Sequence, residues 1–277
     1  MINEILVNEY SYFILLMLLT AIPVGFFAGL FGIGGGLIIV PFLFFIFEAL
    51  GINEIYIMHL AVGTSFSIII PTSLVSVYTH NKHKAVDKNI IKSYGIFVIA
   101  GVICGTILAA FLETKSLVLF FAIIVYFLGT YLLFLKEKSE EIKSNFSLPL
   151  RVIFGFISGF ISAPTGIGGA VMNVPILKYF GFSINKAIGS AAAIGFIIAL
   201  FGSIGFLITG SFLKVNLPFS IGFISIPAFL IFIPITTIMA RVGANTVHKI
   251  NKNKVTKLFG MFLFVVGSIF LYRYFKI

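Results

Sequence analysis

Charge is scarce in this chain. Only 10% of its 277 residues are Asp, Glu, Lys or Arg, against 60% hydrophobic, and the mean hydropathy is +1.15. That composition excludes a soluble domain and reads as an integral membrane protein. Cysteine is nearly absent too. Cys104 stands alone in GVICGTILAA, which excludes an intrachain disulfide and a cysteine metal site and predicts a small, buried apolar side chain. No carboxylate, lysine or arginine falls in the middle of an apolar run: Lys178 and Arg241 lie at one set of helix ends, Glu48 and Glu113 at the other. A membrane proton relay normally uses such a mid-span group. Of the histidines, His59 is at a helix start and His80, His83 and His248 are in loops; only His80 and His83, near Asp87, are closely spaced. In a lysine-rich loop they are expected to be solvated, so neither a metal nor any other cofactor is expected. No nucleophile, base and orienting acid occur together, so an enzyme is not expected. The N-terminus MINEILVNEYSYF lacks a basic n-region and a small-residue cleavage pattern, and the first apolar run is read as a retained helix.

What the chain has is apolar runs, at about 10–31, 34–50, 57–79, 93–111, 117–135, 150–165, 167–180, 187–209, 216–240 and 257–272. Several reach the roughly 20 residues that cross a bilayer core. Runs 34–50, 150–165 and 167–180 are short and read as half-helices of broken or re-entrant hairpins, tolerated where protein or water satisfies the freed backbone. The fold class expected is an all-α integral membrane protein of about eight to ten membrane helices. Loops 80–92, 136–151, 178–186 and 241–257 carry 15 of the 19 lysines and arginines, leaving Lys115, Lys214, Arg273 and Lys276 for the other face. Such a bias puts the lysine-rich loops in the cytoplasm of a plasma-membrane protein, with both termini outside. It also explains the net charge of +10 without nucleic acid.

The two halves repeat. GFFAG at Gly25–Gly29 answers GFISG at Gly155–Gly159; GIGGGLIIVP at Gly32–Pro41 answers GIGGAVMNVP at Gly166–Pro175; AVGTSFSIII from Ala61 answers AIGSAAAIGF from Ala187. Four extra residues, SAPT, precede the second cluster, and Ala170 stands where the first copy has Gly36. A single transmembrane domain is therefore read as repeat 1 at 10–135, a cytoplasmic linker at 136–149 and repeat 2 at 150–272. With five elements in the first half, the second enters from the opposite side, as in inverted-topology transporters.

At these residues the chain resembles the sulfite exporter TauE/SafE family, also described as toluene-sulfonate uptake permeases. That family carries two copies of a motif close to G-x-x-[AS]-G followed by G-x-G-G-G-x-x-x-x-P. The copies here are GFFAGLFGIGGGLIIVP and GFISGFISAPTGIGGAVMNVP, and the likeness covers nearly the whole chain. It implies a permease for small sulfur-containing anions: sulfite, thiosulfate, sulfoacetate or other organosulfonates.

Helix N-termini carry unpaired N–H groups and partial positive charge, and glycine lets a ligand approach them. Two such termini facing each other would hold an anion without a formal cation. The candidate substrate-binding residues are Gly32, Gly34, Gly35, Gly36, Gly166, Gly168 and Gly169, with Thr64, Ser65, Thr165, Asn173 and Ser190 as additional polar groups. Pro41 and Pro175, at matching places, are candidate kinks or hinges. The spaced pairs Gly25/Gly29, Gly155/Gly159 and Gly101/Gly105 are expected to serve close helix packing. The expected partners are a small anion and the bilayer, and a homo-oligomer is compatible with this reading. A small-anion channel, or an assembly factor docking through its lysine loops, stays open as an alternative.

Overall fold

The computed structural model describes residues 2–31, 35–134, 146–246 and 252–277, with the side chains of 2–10, 31, 170, 244, 252, 253 and 255 set aside. Among the described residues it contains ten helices: α1 Ile2–Phe31, α2 Gly36–Ala49, α3 Ile57–Lys82, α4 Lys88–Phe111, α5 Thr114–Phe134, α6 Leu148–Thr165, α7 Ala170–Tyr179, α8 Ile184–Phe212, α9 Ile226–Thr246 and α10 Lys252–Lys276. A two-residue antiparallel hairpin, β1 Ser220–Ile221 and β2 Ile224–Ser225, precedes α9. Eight of the helices are long and apolar enough to cross a membrane. The all-α membrane fold expected from composition is the fold found.

Helices α2 and α7 are the two that are too short, at 14 and 10 residues, or about 21 and 15 Å against a hydrocarbon core of about 30 Å. Both are cut to length by left-handed glycines at each end. Gly35 (φ 85°) precedes α2 and Gly51 (φ 69°) follows it; Gly169 (φ 70°) precedes α7 and Gly181 (φ 85°) follows it. The exits match: Gly51 N–H donates to the Glu48 carbonyl and Ile52 N–H to Phe47, as Gly181 does to Lys178 and Phe182 to Leu177, which closes each helix in the Schellman manner. Run 150–165 departs from expectation. Its helix begins at Leu148 behind Ser147, with Pro149 in its first turn, and its 18 residues make it one of the eight candidate spans rather than a half-helix. Proline in a first turn lacks only an N–H that would be unpaired there anyway, so the helix extends past the apolar run.

Helix α3 and helix α8 form the centre: 72% and 56% of their apolar windows are buried, against 28–44% for the other six candidate spans. The most extensive packing pairs α1 with α9, α4 with α6, α5 with α10 and α3 with α8, followed by α4 with α8, α3 with α9, α2 with α3 and α7 with α8. Exchanging α1–α5 for α6–α10 maps this set onto itself. The packing bundles do not follow the sequence halves, however. One bundle is α1, α2, α3 and α9, the other α4, α6, α7 and α8, so each takes a helix from the opposite half and the two meet along α3 and α8.

The spaced glycines explain that exchange. A Cβ on Gly29 would overlap the Ala240 carbonyl, on Gly243 that of Phe26, on Gly159 that of Val98 and on Gly101 that of Phe156. Backbones of α1 and α9, and of α4 and α6, therefore touch directly, the packing role that small residues supply in membranes. The other side of α4 faces outward. Ile103, Cys104, Ile107 and Leu108 are exposed while Gly101, Val102, Gly105 and Thr106 are buried. Cys104 is thus not buried as expected; it sits on the apolar face directed away from α6.

At one end of the bundle the Arg273 guanidinium reaches the Glu48 carboxylate at 2.6 Å, and the Lys115 ammonium lies 5.3 Å from the Tyr274 ring centre. These residues, from the sparsely basic set of loops and ends, share one side of the protein.

Candidate functional site

The glycine clusters end up against each other at the α3–α8 seam. Gly32 and Gly34 lie outside the described residues. Gly35, Gly36, Gly166, Gly168 and Gly169 are all buried. Gly36, the first residue of α2, packs backbone to backbone on Gly166: a Cβ on Gly36 would overlap the Gly166 carbonyl and come within 3.1 Å of Ile167 Cα. From α3, the Ser65 hydroxyl donates to the same Gly166 carbonyl at 3.1 Å. Gly166 itself closes α6 in a left-handed conformation, with Val40 of α2 and Val62 of α3 as its neighbours. Three elements thus converge on one peptide.

On the other side of the loop, Gly168 presents its carbonyl to Gly195 of α8, and Gly169 lies against Ile198 and Asn173. Asn173, fully buried, is fixed at every polar atom. Its Nδ2 donates to the Gly169 carbonyl at 2.6 Å, while its Oδ1 accepts from the Tyr94 hydroxyl at 2.6 Å and from the Ser158 hydroxyl at 3.1 Å. Tyr94 is on α4 and Ser158 on α6, so two other helices of the α7 bundle hold the same amide. The first copy carries Ile39 at the position of Asn173. The two clusters are therefore chemically unequal beyond the Gly36/Ala170 difference.

Thr64 and Ser190, matched in the repeat, also do matched things. Thr64 Oγ1 accepts from the Ser225 N–H at 2.9 Å, just ahead of α9, and Ser190 Oγ accepts from the Asp87 N–H at 3.0 Å, just ahead of α4. Each central helix thereby holds the start of the helix its bundle takes from the other half. Removing such an acceptor leaves a buried N–H unpaired, a cost of about 1–3 kcal/mol. Thr64→Val is expected to lower the melting temperature accordingly, because the buried Ser225 N–H loses its acceptor. Weaker anion binding at an unchanged melting temperature would instead place that hydroxyl on the ligand.

Thr165 adjoins Gly166 but returns its hydroxyl to the Ile161 carbonyl at 2.9 Å and the Ser162 carbonyl at 3.2 Å. Pro41 and Pro175 occupy the same place, sixth residue of α2 and of α7. Sequence reasoning passed over Tyr94, Ser158 and Ser162. The last two are one helical turn apart and therefore share a face, which is the signal that was available; Tyr94 is 79 residues from Asn173 and offered none.

The electrostatics are set by dipoles. Among the described residues the buried polar side chains are hydroxyls, the Asn173 amide and His59, with no buried lysine, arginine or carboxylate. Two short helices begin at this seam behind left-handed glycines, and their first N–H groups have no intrahelical partner. Such an arrangement suits a small anion by partial charges alone.

Comparison with known proteins agrees with this architecture. Residues 17–270 match the family described as Sulfite exporter TauE/SafE. A probable membrane transporter protein of Haemophilus influenzae is 34% identical over 257 residues, spanning 92% of this chain and 97% of its own length. One from Methanocaldococcus jannaschii is 30% identical over 273 residues, spanning 95% and 98%. YunE of Bacillus subtilis, also named a probable membrane transporter protein, is 28% identical over 221 residues, spanning 72% of this chain and 79% of its own. No solved structure matches. With a family match across nearly the whole chain and eight apolar helices of spanning length, the chain belongs to the sulfite exporter TauE/SafE family and is a multi-pass membrane transporter.

Proposed function

We propose that this transporter moves small sulfur oxyanions, namely sulfite, thiosulfate, sulfoacetate or other organosulfonates, across the plasma membrane. The observation that carries the reading is the contact of Gly36 with Gly166, which brings the two glycine clusters together in a buried region holding no formal cation. The anion's oxygens would take the N–H groups that open α2 and α7, so that neither cluster binds alone. Family membership supports the substrate class.

The packing that maps onto itself supports two inverted repeats, and the lysine bias supports cytoplasmic loops at 80–92, 136–151 and 241–257. Access would alternate by movement of the α1, α2, α3, α9 bundle against the α4, α6, α7, α8 bundle, with Pro41 and Pro175 as points of bending. An inside-negative potential drives an anion outward by about 2.3 kcal/mol per charge per 100 mV. Among the described residues no carboxylate is buried, which gives proton-coupled uptake no carrier, so export or facilitated flux is favoured.

Purified protein in liposomes is expected to give saturable sulfite flux that speeds up when sulfite is present on the far side. Linear flux with unitary currents would make it a channel. Absence of flux for sulfite, thiosulfate and sulfoacetate alike would overturn the transport substrate proposed.

A further inference from the structure

We infer that Ser162 is a direct ligand of the transported anion, a contact supplied by the second half alone; this rests on the anion-binding reading of the glycine loops. Ser162 is fully buried, yet its hydroxyl has no hydrogen-bond partner. A serine inside a helix ordinarily has the carbonyl one turn back within reach. Thr72, Ser73, Thr165, Thr209 and Thr236 all take that bond here. Ser162 does not.

Its place in the fold says what the free hydroxyl faces. Ser158, one turn earlier on the same face of α6, reaches Asn173 on α7. The chain turns directly from α6 into α7 through Gly166–Gly169, so one turn nearer that loop is Ser162 on α6 and Gly169 on α7. The Ser162 carbonyl accepts from Ile167 N–H at 3.3 Å and from the capping N–H of Gly166, tying this residue to the glycine loop. Ser162 therefore stands beside the N-terminus of α7 with an unused O–H donor. An oxyanion there would take the N–H groups of α7 and the Ser162 O–H together. Ser162 also opens the SAPT segment that the first copy lacks, which makes the contact one-sided.

The test is equilibrium binding of radiolabelled sulfite and thiosulfate to the purified full-length protein, for wild type, Ser162→Ala and Gly168→Val, with the melting temperature of each measured without anion. Ser162→Ala is expected to bind roughly ten-fold or more weakly, with a melting temperature unchanged or raised, since only an unpaired hydroxyl is lost. Ser162→Cys, of similar size but a weak donor, is expected to fall between. Wild-type affinity in Ser162→Ala, with binding lost in Gly168→Val, would overturn the Ser162 assignment and leave the glycine reading standing. A Ser162→Ala protein that fails to fold, or melts clearly lower, would also overturn it, by making the hydroxyl structural. Wild-type affinity in both variants, or no binding to wild type, would overturn both readings.

Discussion

Gly36→Ala is expected to abolish anion binding and transport, although it adds only one methyl group to a helix. The new Cβ would overlap the Gly166 carbonyl and press on Ile167. Both obstacles are backbone, so no side chain can rotate away. Relief requires moving α2 from the α6–α7 loop, which separates the two clusters and strains the Ser65 bond to Gly166. Overpacking of this kind costs about 1–3 kcal/mol, so the protein is expected to remain folded with a lowered melting temperature. Gly51→Ala is the matching control. Gly51 is left-handed, but a Cβ there meets nothing within 4 Å, so the strain of about 1–2 kcal/mol should appear without loss of anion binding. Transport assays and melting curves on the two variants separate the effect of contact from that of helix capping.

Asn173→Asp is expected to have the second large effect, by charge rather than shape. The carboxylate would keep the Tyr94 and Ser158 hydroxyls as donors, in the places they hold toward Oδ1. Against Gly169 it would set oxygen against carbonyl oxygen where Nδ2 now donates at 2.6 Å. A negative charge in the first turn of α7 is favoured by the helix dipole, so it stands in for the anion. Two like charges about 5 Å apart at an effective dielectric of about 20 repel by about 3 kcal/mol. Affinity for sulfite should therefore fall more than roughly a hundred-fold. If Asn173→Asp binds sulfite like wild type, the anion does not sit at the start of α7.

Most of the fold was legible because a membrane helix is written as an apolar run. The runs 34–50 and 167–180 became α2 and α7, at 36–49 and 170–179, and the flanking glycines that stop them were visible in the sequence. Helix α6 was underestimated because Leu148 and Pro149, which open its first turn, were left out of the run 150–165. Cys104 was misplaced because hydropathy does not distinguish a lipid-facing position from a buried one. The alternation of two buried and two exposed residues along 101–108 follows from which face α6 covers, a tertiary fact.

The site was legible where chemistry repeats and illegible where it depends on distant pairing. Thr64 and Ser190 looked like ligands because they are hydroxyls in matching places. Their partners, Ser225 and Asp87, are 161 and 103 residues away, and only the folded chain shows those hydroxyl oxygens accepting from backbone N–H groups. Tyr94 joins Asn173 for the same reason: α4 leaves its own half to pack on α6. Neither half of the sequence thus buries its seam alone, and the two bundles meet along α3 and α8.

The central claim is that the glycine loop before α7 binds a sulfur oxyanion. Its most direct test is a thermal-shift titration of wild type and Gly168→Val with sulfite, thiosulfate, sulfoacetate, sulfate and chloride, since a ligand of the folded state alone stabilises by RT ln(1 + [L]/Kd). Wild type should be stabilised in a saturable way by at least one of the three sulfur anions sulfite, thiosulfate and sulfoacetate and not by chloride, and Gly168→Val should lose that response. Undiminished stabilisation of a folded Gly168→Val protein would contradict it.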